Sequence, residues 1–296
     1  MEVKIINPEV VQNLYRNHGV FACTCYDTPE KYAENVGESC QKDGHMSGSR
    51  CEYIKFKVSG LDRGTSEQAL RHEIGTDVPF EYQDNYSFAD YSDLITDISP
   101  DQIVKNMASF RYIDKDGFQW ATPATIENCP KAKTVYENVM AFINEGRKDI
   151  KAALEENGVE PKRATQDANF VLPRATTTEF VIGFTPEALI HFCHKRLCVR
   201  AQEFIREMAK QMKAEVANYS EEFAAELVPQ CQHLLWCPEG KRCCGAYPTR
   251  NELQKVISNR GLKSLLNIYE DAKDVEEETD EESDNTEVVN DCNCGC

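Results

Sequence analysis

Residues 174–210 read RATTTEFVIGFTPEALIHFCHKRLCVRAQEFIREMAK, and two hydrophobic periods meet inside them. Phe180, Ile182 and Phe184 alternate with Glu179, Val181 and Gly183, the period of a strand with one face on a core. At Thr185 the period changes. A threonine hydroxyl there can accept from the free amides of a helix start. Pro186 has the backbone angle of a first helical residue, and Glu187 puts an acid at the positive end of the dipole. Leu189, Phe192, Leu197, Phe204, Ile205 and Met208 then form one apolar stripe, which predicts a single long helix running from Pro186 to Lys210. The other side carries His194, Lys195, Arg196 and Arg200. On a continuous helix Arg196 and Arg200, four apart, share a face that suits an anion as well as plain solvation.

Outward from this stretch, Ile54, Phe56 and Val58 alternate with Tyr53, Lys55 and Lys57, predicting a second half-buried strand that ends at Gly60. Asp62 or Thr65 can cap a helix over Ser66–Glu73, with Gln68 and Arg71 three apart on one face and His72 beside them. The turn Gly44-His45-Met46-Ser47 precedes that strand, so polar groups flank both of its ends, as at a ligand site. Val3–Ile6 reads as a short strand and Pro8–Asn17 as a helix. The aromatic-rich stretch IGTDVPFEYQDNYSFADYSD reads as a loop whose rings either pin it to the core or stack on a planar ligand. Residues 100–157 look helical, in one segment opened by Pro100 and another from Thr134 that Gly158 stops. Ser220-Glu221-Glu222 starts a short helix halted by Pro229, and residues 250–269 form a last amphipathic helix. The expected organisation is one main α+β domain over residues 1–269, a sheet flanked by long helices, with a disordered acidic tail over 270–296.

A chain of 296 residues with 41% hydrophobic content supports a sizeable core. The formal charge is −17, but Glu270–Asp291 holds twelve acids and one lysine, a net −11, which leaves −6 for the remainder. A whole-chain charge of that sign argues against nucleic acid as a partner. No apolar run approaches the ~20 residues of a membrane-spanning helix, and the opening MEVKIINPEV has no signal-peptide core, so a cytoplasmic chain is expected. Its fourteen cysteines are then expected as thiols or metal ligands rather than disulfides. Cys23 and Cys25, one residue apart, chelate poorly and read as small buried side chains. Cys231, Cys237, Cys243 and Cys244, near His233, match no standard zinc ribbon, and both zinc and plain thiols remain open. Cys292, Cys294 and Cys296 in the tail suit a soft metal or thiol exchange.

Taken in order, GH-x-S at His45 and Ser47, Arg63, Q-x-x-RH at Gln68, Arg71 and His72, GVEPKRATQDANFVLP, and the strand–helix with TEF, LIHF, RL and AQEFIRE resemble the flavin-dependent thymidylate synthases over about residues 40–250. The CPEGKRCCG segment is similar to the ending of some clostridial and phage members. The resemblance implies a homotetramer in which FAD and dUMP lie at sites shared between subunits. It implies reductive methylation of dUMP, with methylenetetrahydrofolate as carbon donor and NADPH as the source of flavin electrons. Under it, His45, Ser47, Arg71, His72, Glu73, Thr185, Glu187 and His191 lie on the flavin side. Gln68, Arg71, Glu81, Gln83, Asn85, Asn169, Arg196 and Arg200 lie on the nucleotide side, and Arg196 is the catalytic cation favouring ionisation at N3 of the uracil.

The departures concern charge. The family pattern RHR-x-x-S-x-N-E-x-S-x-R meets RHEIGTDVPFEYQDNYS here, with two extra residues when Glu81 takes the glutamate position. Glu73, Asn85 and Asn169 then stand where arginines are expected, and Gln83 stands at a serine. Each charge-assisted hydrogen bond contributes ~1.5–3 kcal/mol, so compensation is expected, with Arg174 and Arg200 as the sequence's own candidates. A substrate changed to another pyrimidine nucleotide, a hydroxymethylated product, or a non-catalytic nucleotide- or metal-binding role are the alternatives.

Overall fold

The computed structural model describes residues 1–70, 103–111 and 113–260. Contacts within the chain divide it into two units, residues 1–197 with 201–227, and residues 198–200 with 228–296.

The first unit is built on a four-stranded antiparallel sheet, β1 (Glu2–Ile5), β2 (Ile54–Asp62), β3 (Ile103–Met107) and β4 (Thr177–Phe184), in the order β1-β2-β4-β3. Both predicted alternations appear in it. Ile54, Phe56 and Val58 on β2 and Phe180, Ile182 and Phe184 on β4 are buried, while Lys55, Lys57 and Glu179 point to solvent. The register pairs Phe56 with Ile182 and Val58 with Phe180, so the two apolar rows form one continuous face. Along the chain the unit's helices of eight residues or more are α1 (Leu14–Cys25), α2 (Ala33–Lys42), α3 (Arg63–Leu70), α4 (Pro130–Glu156), α5 (Pro161–Ala168), α6 (Pro186–Arg196) and α7 (Glu203–Ala217), of which α6 and α7 supply most of the cover of that face. Leu189 and Phe192 of α6 and Ile205, Met208, Met212 and Val216 of α7 are fully buried in the same core as the strands, and the Phe184 and Phe192 rings stand 5.0 Å apart.

The caps at β4–α6 form as the residue types require. Thr185 Oγ1 accepts from the amide of Ala188 at 3.2 Å, Pro186 opens the helix, and Glu187 sits in its first turn. Ser220 likewise accepts from the amide of Phe223 at 3.2 Å.

Three expectations are corrected. The long helix from Pro186 to Lys210 is two helices. α6 ends at Arg196, and Gln202 restarts the chain by accepting from the amide of Ile205 at 3.1 Å. The gap of five residues from Phe192 to Leu197 in the apolar stripe marks this break, because five residues at about 100° each leave the helix face. Arg200 is therefore on no helix, and the shared helical face with Arg196 does not exist. Second, the segment after Pro100 holds strand β3 rather than a helix. Ile103 and Met107 pair with Phe184 and Phe180, so the free edge of β4 decides a segment whose four-residue spacing suits either structure. Third, β2 does not end at Gly60. The register slips between Ser59 and Leu61, and Gly60 has φ +77°, the left-handed region that favours glycine. The extra residue of this bulge sends Leu61 into the core and carries the strand to Asp62.

The second unit holds short helices at Gln230–Leu234 and Arg250–Arg260, a turn of 3₁₀-helix at Gly240–Arg242, and a small core of Cys237, Ala246 and Tyr247. The expected boundary at residue 270 lies outside the described residues, as does the tail.

Candidate active site

The bulge at Gly60 sets the start of α3, and α3 sets the site. Asp62 Oδ1 accepts from the amide of Thr65 at 2.8 Å, the bond of an N-cap. Its other oxygen, Oδ2, is buried with no hydrogen-bond partner among the described residues, and the residue is only 8% exposed. Asp62 lines a cavity of about 230 Å³ with Gly64, Gln68, Tyr136, Arg174 and Gln202 among the other walls. That volume is below the roughly 300–1,000 Å³ of pockets that enclose a drug-sized ligand, so the described walls suit one ring or one ionic group.

Each wall residue is held by its own element. Gln202 accepts from Ile205 at the start of α7 and from Thr65 Oγ1 at 3.3 Å. Tyr136, on α4, donates its hydroxyl to the carbonyl of Ala121 at 2.8 Å. Burial, and then the charge of Asp62, push the Tyr136 phenol above its ordinary pKa, which keeps it neutral and donating. Arg174, just before β4, takes the amide of Gly64 on its own carbonyl at 3.1 Å. Its guanidinium lies over Gly64: a Cβ there would stand 3.1 Å from Arg174 Nε and 3.2 Å from both Arg174 Nη2 and Asp62 Oδ1. Glycine permits this approach. Arg174 is exposed and makes no ion pair among the described residues. A carboxylate oxygen without a hydrogen-bond donor and a guanidinium in no ion pair, both among the described residues, therefore face one cavity, the arrangement of a ligand site.

A second cluster forms where the turn Met46–Cys51 meets α6. Arg50 grips Glu187 through two bonds, Nε–Oε2 at 2.6 Å and Nη2–Oε1 at 3.1 Å. That fork fixes the turn carrying His45 and Ser47, both exposed, beside the first turn of α6. Buried His18 contacts the His45 carbonyl through Nε2 at 2.8 Å, and burial lowers its pKa, favouring the neutral ring. His191 follows Glu187 by one helical turn, half-buried.

The model of the family described as thymidylate synthase complementing protein matches residues 16–220. Two flavin-dependent thymidylate synthases resemble the chain: that of Nitratidesulfovibrio vulgaris, 32% identical over 73% of this chain and 77% of the relative, and that of Geobacter sulfurreducens, 30% identical over 68% and 72%. The chain belongs to the flavin-dependent thymidylate synthase family. A solved flavin-dependent thymidylate synthase from Helicobacter pylori, complexed with FAD and dUMP, is 16% identical with a TM-score of 0.48, covering 77% of this chain and all of that one.

Within this flavin-dependent thymidylate synthase family member, the expected site residues separate. Gln68 is exposed on α3 and lines the cavity with Arg174. His45, Ser47, Glu187 and His191 gather at the second cluster. Thr185 is fully buried, and its hydroxyl accepts the cap bond that starts α6. Arg196 is the last residue of α6, about 15 Å along the helix from Pro186 at 1.5 Å per residue, where the dipole favours a cation. Arg200, in the second unit, donates from Nε to the carbonyl of Arg242 at 3.1 Å. Arg71, His72, Glu73, Glu81, Gln83 and Asn85 lie outside the described residues.

Asn169 departs from its expected part. It is 7% exposed, and every polar atom of its amide is in use. Oδ1 accepts from Arg147 Nε at 2.7 Å, and Nδ2 donates to the carbonyls of Phe110 and Ile113. Arg147, fully buried on α4, also binds Asp114, which pairs with Lys151 at 2.6 Å. These bonds leave Asn169 nothing for a nucleotide. Conversely, Asp62, Tyr136 and Gln202 carry no functional signal in the sequence beyond the capping potential of Asp62, because they meet only when α3, α4 and α7 pack.

Proposed function

We propose that this chain catalyses the FAD-dependent reductive methylation of dUMP to dTMP, as a cytoplasmic homotetramer with active sites shared between subunits. The observation that carries the reading is the family match over residues 16–220, which takes in Gln68, Arg174 and both clusters. When bound, FAD reduced by NADPH supplies the hydride, and methylenetetrahydrofolate supplies the carbon.

The residues fit such ligands. Asp62 Oδ2 accepts an N–H of the ligand, Gln68 offers a donor and an acceptor, and the Arg174 guanidinium binds phosphate or a carbonyl. Arg174 thus supplies the positive charge that Asn169, committed to Arg147, does not. Arg200 is not placed on α6 to do so. Arg196 provides a fixed cation for negative charge developing on the pyrimidine. The Arg50–Glu187 pair holds His45 and Ser47 in place for the flavin, with His191 behind them. Arg71 and His72, three and four residues after Gln68, bring donors for flavin or nucleotide phosphates, and Glu73, Glu81, Gln83 and Asn85 complete the altered motif.

The test is a single turnover. The chain is reconstituted with FAD, reduced without oxygen, and mixed with dUMP and methylenetetrahydrofolate, and the nucleotide product is weighed. dTMP is the expected product. The replacement of arginine at 73, 85 and 169 favours one second reading, another pyrimidine or hydroxymethyl transfer, which a different product mass would establish. A chain that binds no flavin would support a non-catalytic role instead.

A further inference from the structure

Helix α4 (Pro130–Glu156) runs for 27 residues, yet only Met140 and Arg147 on it are buried. Its uncovered side is not polar. Val135, Val139, Phe142 and Ile150 are all exposed, Phe142 to 79%. With Gly146 they stand four, three, four and four residues apart. At about 100° per residue this keeps them within an arc of about 80°, one stripe about 22 Å long. Such a row is the seam of a helix that packs on another helix. Gly146 has the same meaning. A Cβ there would meet nothing within 4 Å, so nothing in the chain itself requires glycine, although glycine weakens a helix interior. A gap in a seam lets a second helix approach closely. The 3₁₀ turn Asn169–Val171, tied to α4 by the bond from Arg147 to Asn169, adds Phe170 at 84% exposure.

Apolar surface of this kind marks a contact site, and charge selects the occupant. Exposed Glu145, Asp149 and Glu156 flank the stripe, and an anionic lipid surface would repel them. The stripe is instead its own complement. Laid antiparallel on a copy of itself about a two-fold axis at Phe142, Val135 meets the partner's Ile150. Val139 fills the gap over the partner's Gly146, and the two Phe142 rings meet at the axis. A two-fold contact requires such self-complementarity. The charges agree. Exposed Lys131, near the start of α4, comes beside the partner's Glu156, while Asn138 and Thr134, also exposed, stand opposite the partner's Glu145 and Asp149. A parallel pairing would set each acid, and Lys131, against its own copy.

We infer that the exposed face of α4 is a two-fold interface on which a second copy of this chain lays its own α4 antiparallel. The inference rests on the homotetramer of the proposed function and assigns one of its faces. Tyr136, a wall of the cavity, directly follows Val135, so this boundary between subunits passes beside the site.

The experiment uses the full chain in analytical ultracentrifugation, with far-ultraviolet circular dichroism reporting the fold. The wild type should sediment as a tetramer. Phe142→Glu should sediment as a dimer with an unchanged spectrum, because Phe142 is solvent-exposed in its own chain. Gly146→Leu, whose side chain has open space there, should weaken association at least tenfold. Lys131→Glu should weaken it up to about fivefold, the scale of an exposed ion pair, and Lys131→Glu combined with Glu156→Lys should restore it. Tighter association of Lys131→Glu would overturn the antiparallel order. With Val139 replaced by the photo-crosslinker benzoylphenylalanine, irradiation should give a species of twice the chain mass, joined within residues 143–150 of the second copy. A crosslink to a different protein of the expressing cell would give the face another occupant and overturn the inference. A Phe142→Glu chain of wild-type mass would overturn the α4 interface and leave the homotetramer standing. A monomeric wild type would overturn both, while dTMP formation is read separately by the single turnover.

Discussion

Arg147 and Arg174 belong to the same unit and carry the same guanidinium, yet the fold uses them in opposite ways. Arg147 is fully buried and commits its donors to Asn169 and Asp114. Arg174 is exposed beside a cavity, over a glycine, and makes no ion pair among the described residues. A buried charge persists only when partners are supplied by the fold, whereas a cation at a cavity wall that makes no ion pair among the described residues is available to a ligand. The first arginine should answer to stability and the second to ligand, and the difference can be broken experimentally.

The largest effect is expected from Arg147→Ala. It strands Asn169 Oδ1 and takes one partner from Asp114, and it should cost about 3 kcal/mol, the lower end for a broken buried pair because Asp114 itself reaches solvent; urea unfolding reads this directly. A loss of binding with unchanged stability would reverse the roles of the two arginines. Arg174→Ala should do the opposite, leaving the unfolding midpoint nearly unchanged and raising the Michaelis constant for the nucleotide about 10–100-fold, the scale of ~1.5–3 kcal/mol for a charge-assisted bond. The same midpoint and the same Michaelis constant would remove Arg174 from the site.

Asp62→Asn sharpens the contrast, since asparagine caps a helix as well as aspartate does. The fold should hold, while a ligand N–H loses its charged acceptor, for about 1 kcal/mol in nucleotide affinity, measured by calorimetry. The smallest effect is a pH response. Lys151, then Arg147, hold the Asp114 carboxyl down to about 2 from its ordinary 3.8. That stabilisation is present above pH 3.8 and disappears as the pH falls towards 2, because the unfolded chain binds the proton first. Comparing acid unfolding of Asp114→Asn with the wild type, the gap between them should close over that window, and a constant gap would dismiss the pairing as its source.

Much of the frame is legible in the amino-acid order alone. The alternation in Ile54–Val58 and Phe180–Phe184, the Thr185–Pro186–Glu187 start, the Ser220 cap and the stop at Gly158 all depend on neighbours within a few residues, so type and spacing suffice. The edge strand Ile103–Met107 does not show, because its spacing fits a helix until the open edge of β4 claims it. The break after Arg196 shows only as a lapse in the apolar stripe, and a helix drawn through that lapse misplaces Arg200. At the site, the motifs mark Gln68, His45, Ser47, Glu187 and His191, while Asp62, Tyr136 and Gln202 surface only as walls of one cavity. Asn169 inherits a nucleotide position from its motif, but its burial and its bond to an arginine 22 residues away give it a structural task.

Local sequence determined the periods, the caps and the family, because each is written in side chains a few positions apart and in the order of motifs along the chain. Which arginine is paired and which stands ready at a cavity, which carboxylate oxygen lacks a partner among the described residues, and which face of α4 is left uncovered were decided only by tertiary structure. Desolvation and pairing depend on groups that the chain brings together from tens of residues away.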